Sequence, residues 1–141
     1  MTDTRALPGE VDARSIVREF LEGLTTRDYA TLTGALDASV RFRALLPRGP
    51  SEWHGPSDAA QVFRDWYEHA DNFEVIETTV REVGGRQQMT WRFRLRPAPF
   101  DIGDGWHVIE QHAFADVTDG IDSLDLVCSG FRAEQARGAV R

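Results

Sequence analysis

The first half of the chain places apolar residues every three or four positions, which is the period of an α-helix. A first helix is predicted from Ala13, with Asp12 as its N-cap, because a short carboxylate there can accept free backbone N–H groups. A second, shorter helix follows a polar break, and a third begins at Pro56, since proline is favoured at the first helical position. The apolar stripes of the three helices are Ile16, Val17, Phe20, Leu21 and Leu24; Tyr29, Leu32 and Leu36; and Ala59, Val62, Phe63, Trp66, Tyr67 and Ala70.

Most of the remaining chain alternates between apolar and polar residues with a period of two, which is typical of β-strands. Two-residue hairpin turns are predicted at Gly84-Gly85 and Asp119-Gly120, and the stretch 97–105, rich in proline and glycine, is predicted to be a longer loop. One early strand and a four-stranded meander are predicted at 39–46, 73–83, 87–96, 106–118 and 121–131. Three helices followed by such a meander indicate an α+β fold.

The length of 141 residues is typical of a single domain. We assign this domain to residues 11–132, where the periodic patterns lie. Residues 1–10 contain Pro8 and Gly9 without any periodic pattern, so they are predicted to form a flexible leader. Residues 133–141 are predicted to be a disordered tail.

Alternation also predicts which face of the sheet meets the helices. Trp91 shares one side of its strand with three other large apolar residues, whereas Arg92 lies on the opposite side, and exposing the apolar set to water would be costly. Counting back from the two hairpin turns gives the cross-strand partners, which share a face. The predicted helix-facing set is Ile76, Thr78, Val80, Met89, Trp91, Phe93, Leu95, His107, Ile109, Gln111, Ala113, Ala115, Leu124, Leu126 and Cys128.

The opposite, outer face is predicted to combine ion pairs with apolar side chains. The same counting places Arg92 between Glu77 and Glu110, in a ladder across three strands. This face is too apolar to lie wholly in water, so we expect it to be an interface with a second copy of the chain. Its apolar members are Val75, Val108, Phe114 and Val127.

The main alternative to this orientation is a shift in strand register. A β-bulge exchanges the two faces downstream of it, because successive side chains point to opposite sides of a strand. Glu110, His112 and Asp125 would then point inward, where they could form an acid–base group.

Composition narrows the classes of function. The net charge of −7 and the pI near 5.0 argue against affinity for nucleic acid or for an anionic membrane. All sixteen basic residues are arginine, which excludes a lysine Schiff base, and the single cysteine excludes an internal disulfide. The four histidines lack metal-site spacing and no glycine-rich phosphate cradle is present, so neither a metal nor a cofactor is predicted. Without a membrane-span pattern or a signal peptide pattern, a cytoplasmic protein is predicted.

Several segments together carry a family resemblance. Trp53-His54-Gly55-Pro56 leads into a helix with two large aromatic residues, and the meander ends in Asp-Gly followed by a hydrophobic strand. With the stretches 110–114 and 124–131, this pattern resembles the nuclear transport factor 2-like superfamily, and within it the SnoaL-like and ketosteroid-isomerase-like branch. The resemblance implies a cystatin-like cone, in which three N-terminal helices pack on a curved, mixed and mostly antiparallel sheet. It also implies a deep apolar pocket and, commonly, a homodimer.

The catalytic residues of the known members are not retained. Phe20 and Phe42 stand where the ketosteroid isomerases have an oxyanion-binding tyrosine and a general-base aspartate, and phenyl rings neither donate nor accept protons. Leu124 and Leu126 stand where SnoaL-like cyclases have a histidine and an aspartate on the last strand. Any chemistry in this chain must therefore use other residues.

Two polar residues on the helix-facing side are the candidates for catalysis. His107 is either a general acid/base or substrate-binding group near the loop 97–105, or a half-exposed histidine at a strand end. Gln111 either orients a substrate carbonyl or is a buried amide satisfied by the backbone, Tyr29 or Tyr67.

The other candidates would line the pocket. The aromatic ones are either flat walls for a conjugated or polycyclic ligand or ordinary core. Tyr29 is either an oxyanion donor or a phenol at the core edge, and Cys128 is either a nucleophile or a buried inert thiol. The predicted substrate-binding set is Phe20, Tyr29, Phe42, Phe63, Trp66, Trp91, Phe93, Leu126 and Cys128.

The resemblance and this lining predict a small-molecule enzyme. The favoured activity is a cofactor-independent cyclase or isomerase acting on a polyketide-like apolar intermediate in a deep pocket. The alternative is a non-catalytic module for ligand binding or dimerisation. The predicted partners are a small apolar or polycyclic molecule and a second copy of the chain.

Overall fold

The computed structural model describes residues 12–134, in which three helices and seven strands follow one another along the chain. The predicted elements are present, and a further strand, β2, follows β1 directly. The elements are α1 (Ala13–Thr25), α2 (Tyr29–Gly34), β1 (Leu36–Leu46), β2 (Gly49–His54), α3 (Pro56–Tyr67), β3 (Asn72–Val83), β4 (Arg86–Arg96), β5 (His107–Val117), β6 (Ile121–Cys128) and β7 (Arg132–Ala133).

Helices α1 and α2 begin where the sequence supplies a suitable cap. The Asp12 carboxylate accepts the backbone N–H of Arg14 at 3.2 Å, and Asp28 accepts that of Thr31 at 3.2 Å, so both aspartates satisfy N–H groups that lack helical partners. Helix α2 ends at Gly34, and Leu36, which the sequence pattern assigns to the stripe of this helix, instead starts β1.

The strands form one sheet in the order β2-β1-β6-β5-β4-β3, with β7 added beside β5. Among the strands of the described region, only β1 and β6 run parallel, so the sheet is mixed and mostly antiparallel. The three helices pack on its concave side, and the sheet is curved without closing into a barrel. This confirms the predicted α+β cone.

The predicted orientation of the sheet is confirmed. Trp91 and Gln111 are fully buried beneath the helices, while Arg92 lies on the outer face. There the Arg92 guanidinium lies 3.2 Å from the Glu110 carboxylate and 3.6 Å from that of Glu77, which is the predicted ladder. The alternative register is therefore wrong: Glu110 and His112 pair with Arg92 and Thr90 of β4 on this outer face, and Asp125 lies on the same face.

Strand β3 departs from the predicted pairing. A bulge lies between Val75 and Glu77, so Ile76 has no cross-strand partner and is 46% exposed instead of facing the helices. Val75, assigned by its alternation to the outer face, pairs with Phe93. The bulge leaves the pairs from Glu77 to the hairpin turn in their predicted register.

The chain is ordered beyond the predicted end of the domain. Strand β6 ends at Cys128 rather than at residue 131, and Arg132–Ala133 then pairs with the start of β5. The backbone N–H of Glu134 donates to the Trp106 carbonyl at 2.9 Å, so backbone pairing continues into the first two residues assigned to the tail. The predicted leader 1–10 and the rest of the tail lie outside the described residues. Within residues 12–134, no helix has the length and apolar character needed to cross a membrane.

Candidate functional site

The concave side of the sheet is filled by an aromatic cluster centred on Phe63. The Phe63 ring stacks on Phe42 with centroids 5.0 Å apart and meets Phe20 edge-on at 5.5 Å. Trp66 and Trp91 complete the contacts at 5.3 and 6.4 Å. All five side chains are buried. These rings, predicted as either pocket walls or core, therefore pack against one another as core.

Phe93 and Leu126 extend the same core on neighbouring strands. Phe93 meets the Tyr67 ring edge-on at 5.1 Å and the Phe73 ring at 4.7 Å. Leu126 is buried and pairs with Ala113 across β5 and β6. Their contacts are those of interior packing.

Gln111 is held by a buried hydrogen-bond network. Its side-chain oxygen accepts the Tyr67 hydroxyl at 2.6 Å and the Trp91 indole N–H at 2.7 Å, and its amide nitrogen donates to Cys128 Sγ at 3.2 Å. The Cys128 sulfur, half-buried, also accepts the backbone N–H of Gly130 at 3.3 Å. This favours the interpretation of Gln111 as a buried amide satisfied by its own chain.

Both phenols of the chain remain protonated donors near neutral pH. Burial raises the pKa of Tyr29 to about 12 and holds the pKa of the fully buried Tyr67 well above its ordinary value. The two differ in their partners: Tyr67 donates to Gln111, whereas the buried Tyr29 hydroxyl has no hydrogen-bond partner within the described part of the chain. Arg64 covers the Tyr29 ring at 4.7 Å.

His107 anchors the loop 97–105. The buried ring donates from Nδ1 to the Gly105 carbonyl at 2.8 Å and lies so close to Gly103 that a Cβ there would be 3.0 Å from ring atom Cε1. His107 and Gln111 share the concave face, but four residues of strand separate them by about 13 Å. The structure does not bring the two predicted catalytic residues together.

The outer face carries an open apolar groove over β1, β2, β5 and β6, with a volume of 640 Å³. Its exposed apolar residues are Leu45 and Val127, each 53% exposed, and Phe114, 36% exposed. Leu45 lies directly beside Val127 in the parallel pair. Sequence analysis identified Phe114 and Val127 but missed Leu45. Its position in β1, two residues after Arg43 and four after Arg41, places all three side chains on the outer face.

Ion pairs border this groove. Arg43 and Arg86 both donate to the Asp125 carboxylate, at 2.8 and 3.0 Å, and Arg86 also pairs with Asp116 at 2.8 Å. Burial opposes ionisation of Asp125, but the hydrogen bonds from the two arginines outweigh it and lower its pKa. The carboxylate therefore stays charged across the neutral range.

A series of hydrogen-bonded polar side chains lies beside the groove on β4 and β5. His112 Nδ1 is 3.0 Å from the Thr90 hydroxyl, and His112 Nε2 is 2.7 Å from the Glu110 carboxylate. The hydrogen bond from His112 lowers the pKa of Glu110, and Arg92 adds to this effect. Among the described residues, no three histidine, cysteine or acidic side chains are placed to hold a metal ion.

Comparison with known proteins finds similar structures but no similar sequence: no family model matches the chain, and neither does any curated protein. An NTF2-like protein of Burkholderia thailandensis has a TM-score of 0.65 over 82% of this chain and 88% of its own, at 13% identity. A candidate polyketide cyclase of Xanthomonas campestris pv. campestris has a TM-score of 0.64 over 82% and 88%, at 16% identity. An LEH-like epoxide hydrolase of M. tuberculosis has a TM-score of 0.61 over 83% and 82%, at 20% identity.

These similar structures include proteins assigned to different reactions, so they bear on architecture and not on one activity. Each of the three covers more than four fifths of this chain. The chain therefore has the nuclear transport factor 2-like fold.

Proposed function

We propose that this chain is a non-catalytic module that assembles with a second copy of itself through the outer face of its sheet. The observation that carries the proposal is the contrast between the two faces. Aromatic side chains fill the concave side, whereas the outer face leaves Leu45, Phe114 and Val127 exposed around one groove. A contiguous apolar patch with a polar rim is typical of an interaction surface.

A second copy is favoured over a strongly acidic or basic partner because this face carries both signs of charge side by side. Arg43 and Arg86 alternate with Asp116 and Asp125, although the whole chain has a net charge of −7. A two-fold rotation can set arginines of one copy opposite carboxylates of the other, as a self-complementary interface requires. Sheets stacked face to face at about 10 Å would cover the apolar groove.

Val127→Arg is expected to convert a dimeric wild-type protein into a monomer. The new guanidinium would lie at the centre of the apolar patch, where a dimer removes it from water without a partner. Sedimentation velocity measures the outcome. Val83→Arg is the matched control, because Val83 is 42% exposed at the hairpin end of the edge strand β3, and this variant should remain dimeric. A wild-type protein that sediments as a monomer would contradict the proposal.

Catalysis inside the cone is the second candidate, and the Tyr29 hydroxyl favours it. A buried donor without a partner costs about 1–3 kcal/mol, and a substrate carbonyl oxygen would supply the missing acceptor if the aromatic cluster opened. Gln111 would offer its amide to the same molecule. The substrate would then be an apolar, polyketide-like intermediate, and the reaction a cyclisation or isomerisation.

The two candidates give different results with polycyclic and polyene ligands. An enzyme would be stabilised by such a ligand in a thermal-shift assay and would convert it to product. The proposed dimerisation module, whose concave side is filled, would show neither effect. Stabilisation without conversion would indicate a ligand-binding module instead. For the enzyme, the His107→Ala/Gln111→Ala double variant should lose turnover. Full turnover by a folded double variant would mean that neither residue is catalytic.

A further inference from the structure

The hydrogen bonds around His112 on the outer face can all be made by a neutral ring. The Thr90 hydroxyl oxygen already accepts the Gln88 amide N–H at 2.9 Å, so its own proton is available for His112 Nδ1 at 3.0 Å. His112 Nε2 then carries the ring proton and donates it to Glu110 at 2.7 Å. Every polar atom of the neutral ring is thus satisfied by its own chain.

His112 lies between charged groups and the apolar groove. Glu110 on its own strand and Arg92 on β4 form the charged side, with Arg92 donating to Glu110 at 3.2 Å. On β6, Val127 is the cross-strand partner of His112, and Asp125 lies one pair further along, held by its two arginines. A second copy that covers Val127 also covers the exposed half of the His112 ring.

We propose that protonation of His112 dissociates the dimer, which makes the outer face a pH-sensitive contact. This inference rests on the proposed dimer. A proton taken from solvent binds Nδ1 and makes it a donor, so the Thr90 hydroxyl oxygen must accept from the ring and its O–H must point elsewhere. In the monomer, this O–H donates to water. In the dimer, it is enclosed beside apolar side chains without an acceptor, which is unfavourable.

The direction of the effect follows from proton linkage. The dimer favours the neutral ring, so it binds fewer protons than two separate chains, and its dissociation constant rises as pH falls through the histidine range. Each dimer contains two copies of His112, and we expect a rise of about tenfold or more between pH 7.5 and 5.5. The pKa values of Glu110 and Asp125 are lowered, so these carboxylates stay ionised between pH 7.5 and 5.5 and do not contribute to the pH dependence of the dissociation constant.

Sedimentation velocity at pH 7.5 and 5.5 tests the inference with the full chain. His112→Asn should remain dimeric with a dissociation constant that changes less than twofold. His69→Asn is the matched control, since His69 is exposed directly after α3, among the helices and away from the groove. This control should show the same tenfold weakening as the wild type.

The outcomes separate the two proposals. The proposed switch would be overturned if the wild-type dimer had the same dissociation constant at both pH values, or if that of the His112→Asn dimer still rose at pH 5.5. Neither result would contradict the dimer itself. A monomer at pH 7.5 would overturn the dimer and the switch together. If His112→Asn does not fold, NMR titration of the wild-type His112 ring decides: it should titrate at lower pH in a concentrated, dimeric sample than in a dilute one, and equal midpoints would contradict the inference.

Discussion

Phe63→Ala is expected to lower the free energy of unfolding by about 3–5 kcal/mol, the usual cost of removing a fully buried phenyl ring. The loss is large because Phe63 is the centre of the aromatic cluster, with four rings within 6.4 Å of its own. These rings come from two helices and two strands, so the interior cannot readily collapse into the space. Thermal unfolding should show a midpoint roughly 10 °C below that of the wild type.

Phe114→Ala is the matched control, because it removes the same ring from the partly exposed outer face. The free energy of unfolding of the monomeric Phe114→Ala chain should be within about 1 kcal/mol of the wild-type value. Both are measured at a concentration where the chain is monomeric. Equal destabilisation by both variants would contradict a filled, closely packed interior. A folded Phe63→Ala protein should also bind a small aromatic molecule such as benzene or indole, since an enclosed apolar cavity accepts such a guest.

The orientation of the sheet could be predicted because two of its strand pairs, β3–β4 and β5–β6, are each connected by a short hairpin. The turn at Gly84-Gly85 fixes the pairs of β3 and β4 nearest to it, and alternation then assigns each side chain to a face. The prediction fails at Ile76 because Val75 and Ile76 are both apolar, so the sequence gives no sign of which one leaves the ladder at a bulge. Bulges depend on local twist, which period-two patterning does not encode.

The contents of the cone could not be predicted in the same way. Alternation gives the direction of a side chain but not the distance to whatever lies opposite, so it cannot separate a pocket wall from a packed ring. The hydrogen bond between Tyr67 and Gln111 joins α3 to β5 across 44 positions of sequence, and no local pattern places those two atoms together. The side of β1 on which Leu45 lies follows from alternation, but its position beside Val127 could not be predicted, because β1 and β6 pair in parallel without a turn that would fix their register.

Gln111→Leu is expected to lower the free energy of unfolding by about 2–5 kcal/mol, although leucine is similar in size and more apolar. The side-chain oxygen of Gln111 is the shared acceptor of the Tyr67 hydroxyl and the Trp91 indole N–H. Both donors are fully buried, and each buried donor left without a partner costs about 1–3 kcal/mol. Chemical denaturation of the two proteins measures the difference, with Gln61→Leu on the exposed side of α3 as the control expected to be near neutral.

Adding Tyr67→Phe to Gln111→Leu should restore part of this stability, because it removes the hydroxyl that the first substitution leaves unsatisfied. In the wild-type background, the same Tyr67→Phe change should destabilise by about 1 kcal/mol, since it removes a satisfied hydrogen bond. The two substitutions should therefore be coupled by about 1 kcal/mol or more, whereas independent sites add within a few tenths. Strict additivity would mean that the 2.6 Å contact does not stabilise the fold, and Gln111 would then be available to a ligand at little cost.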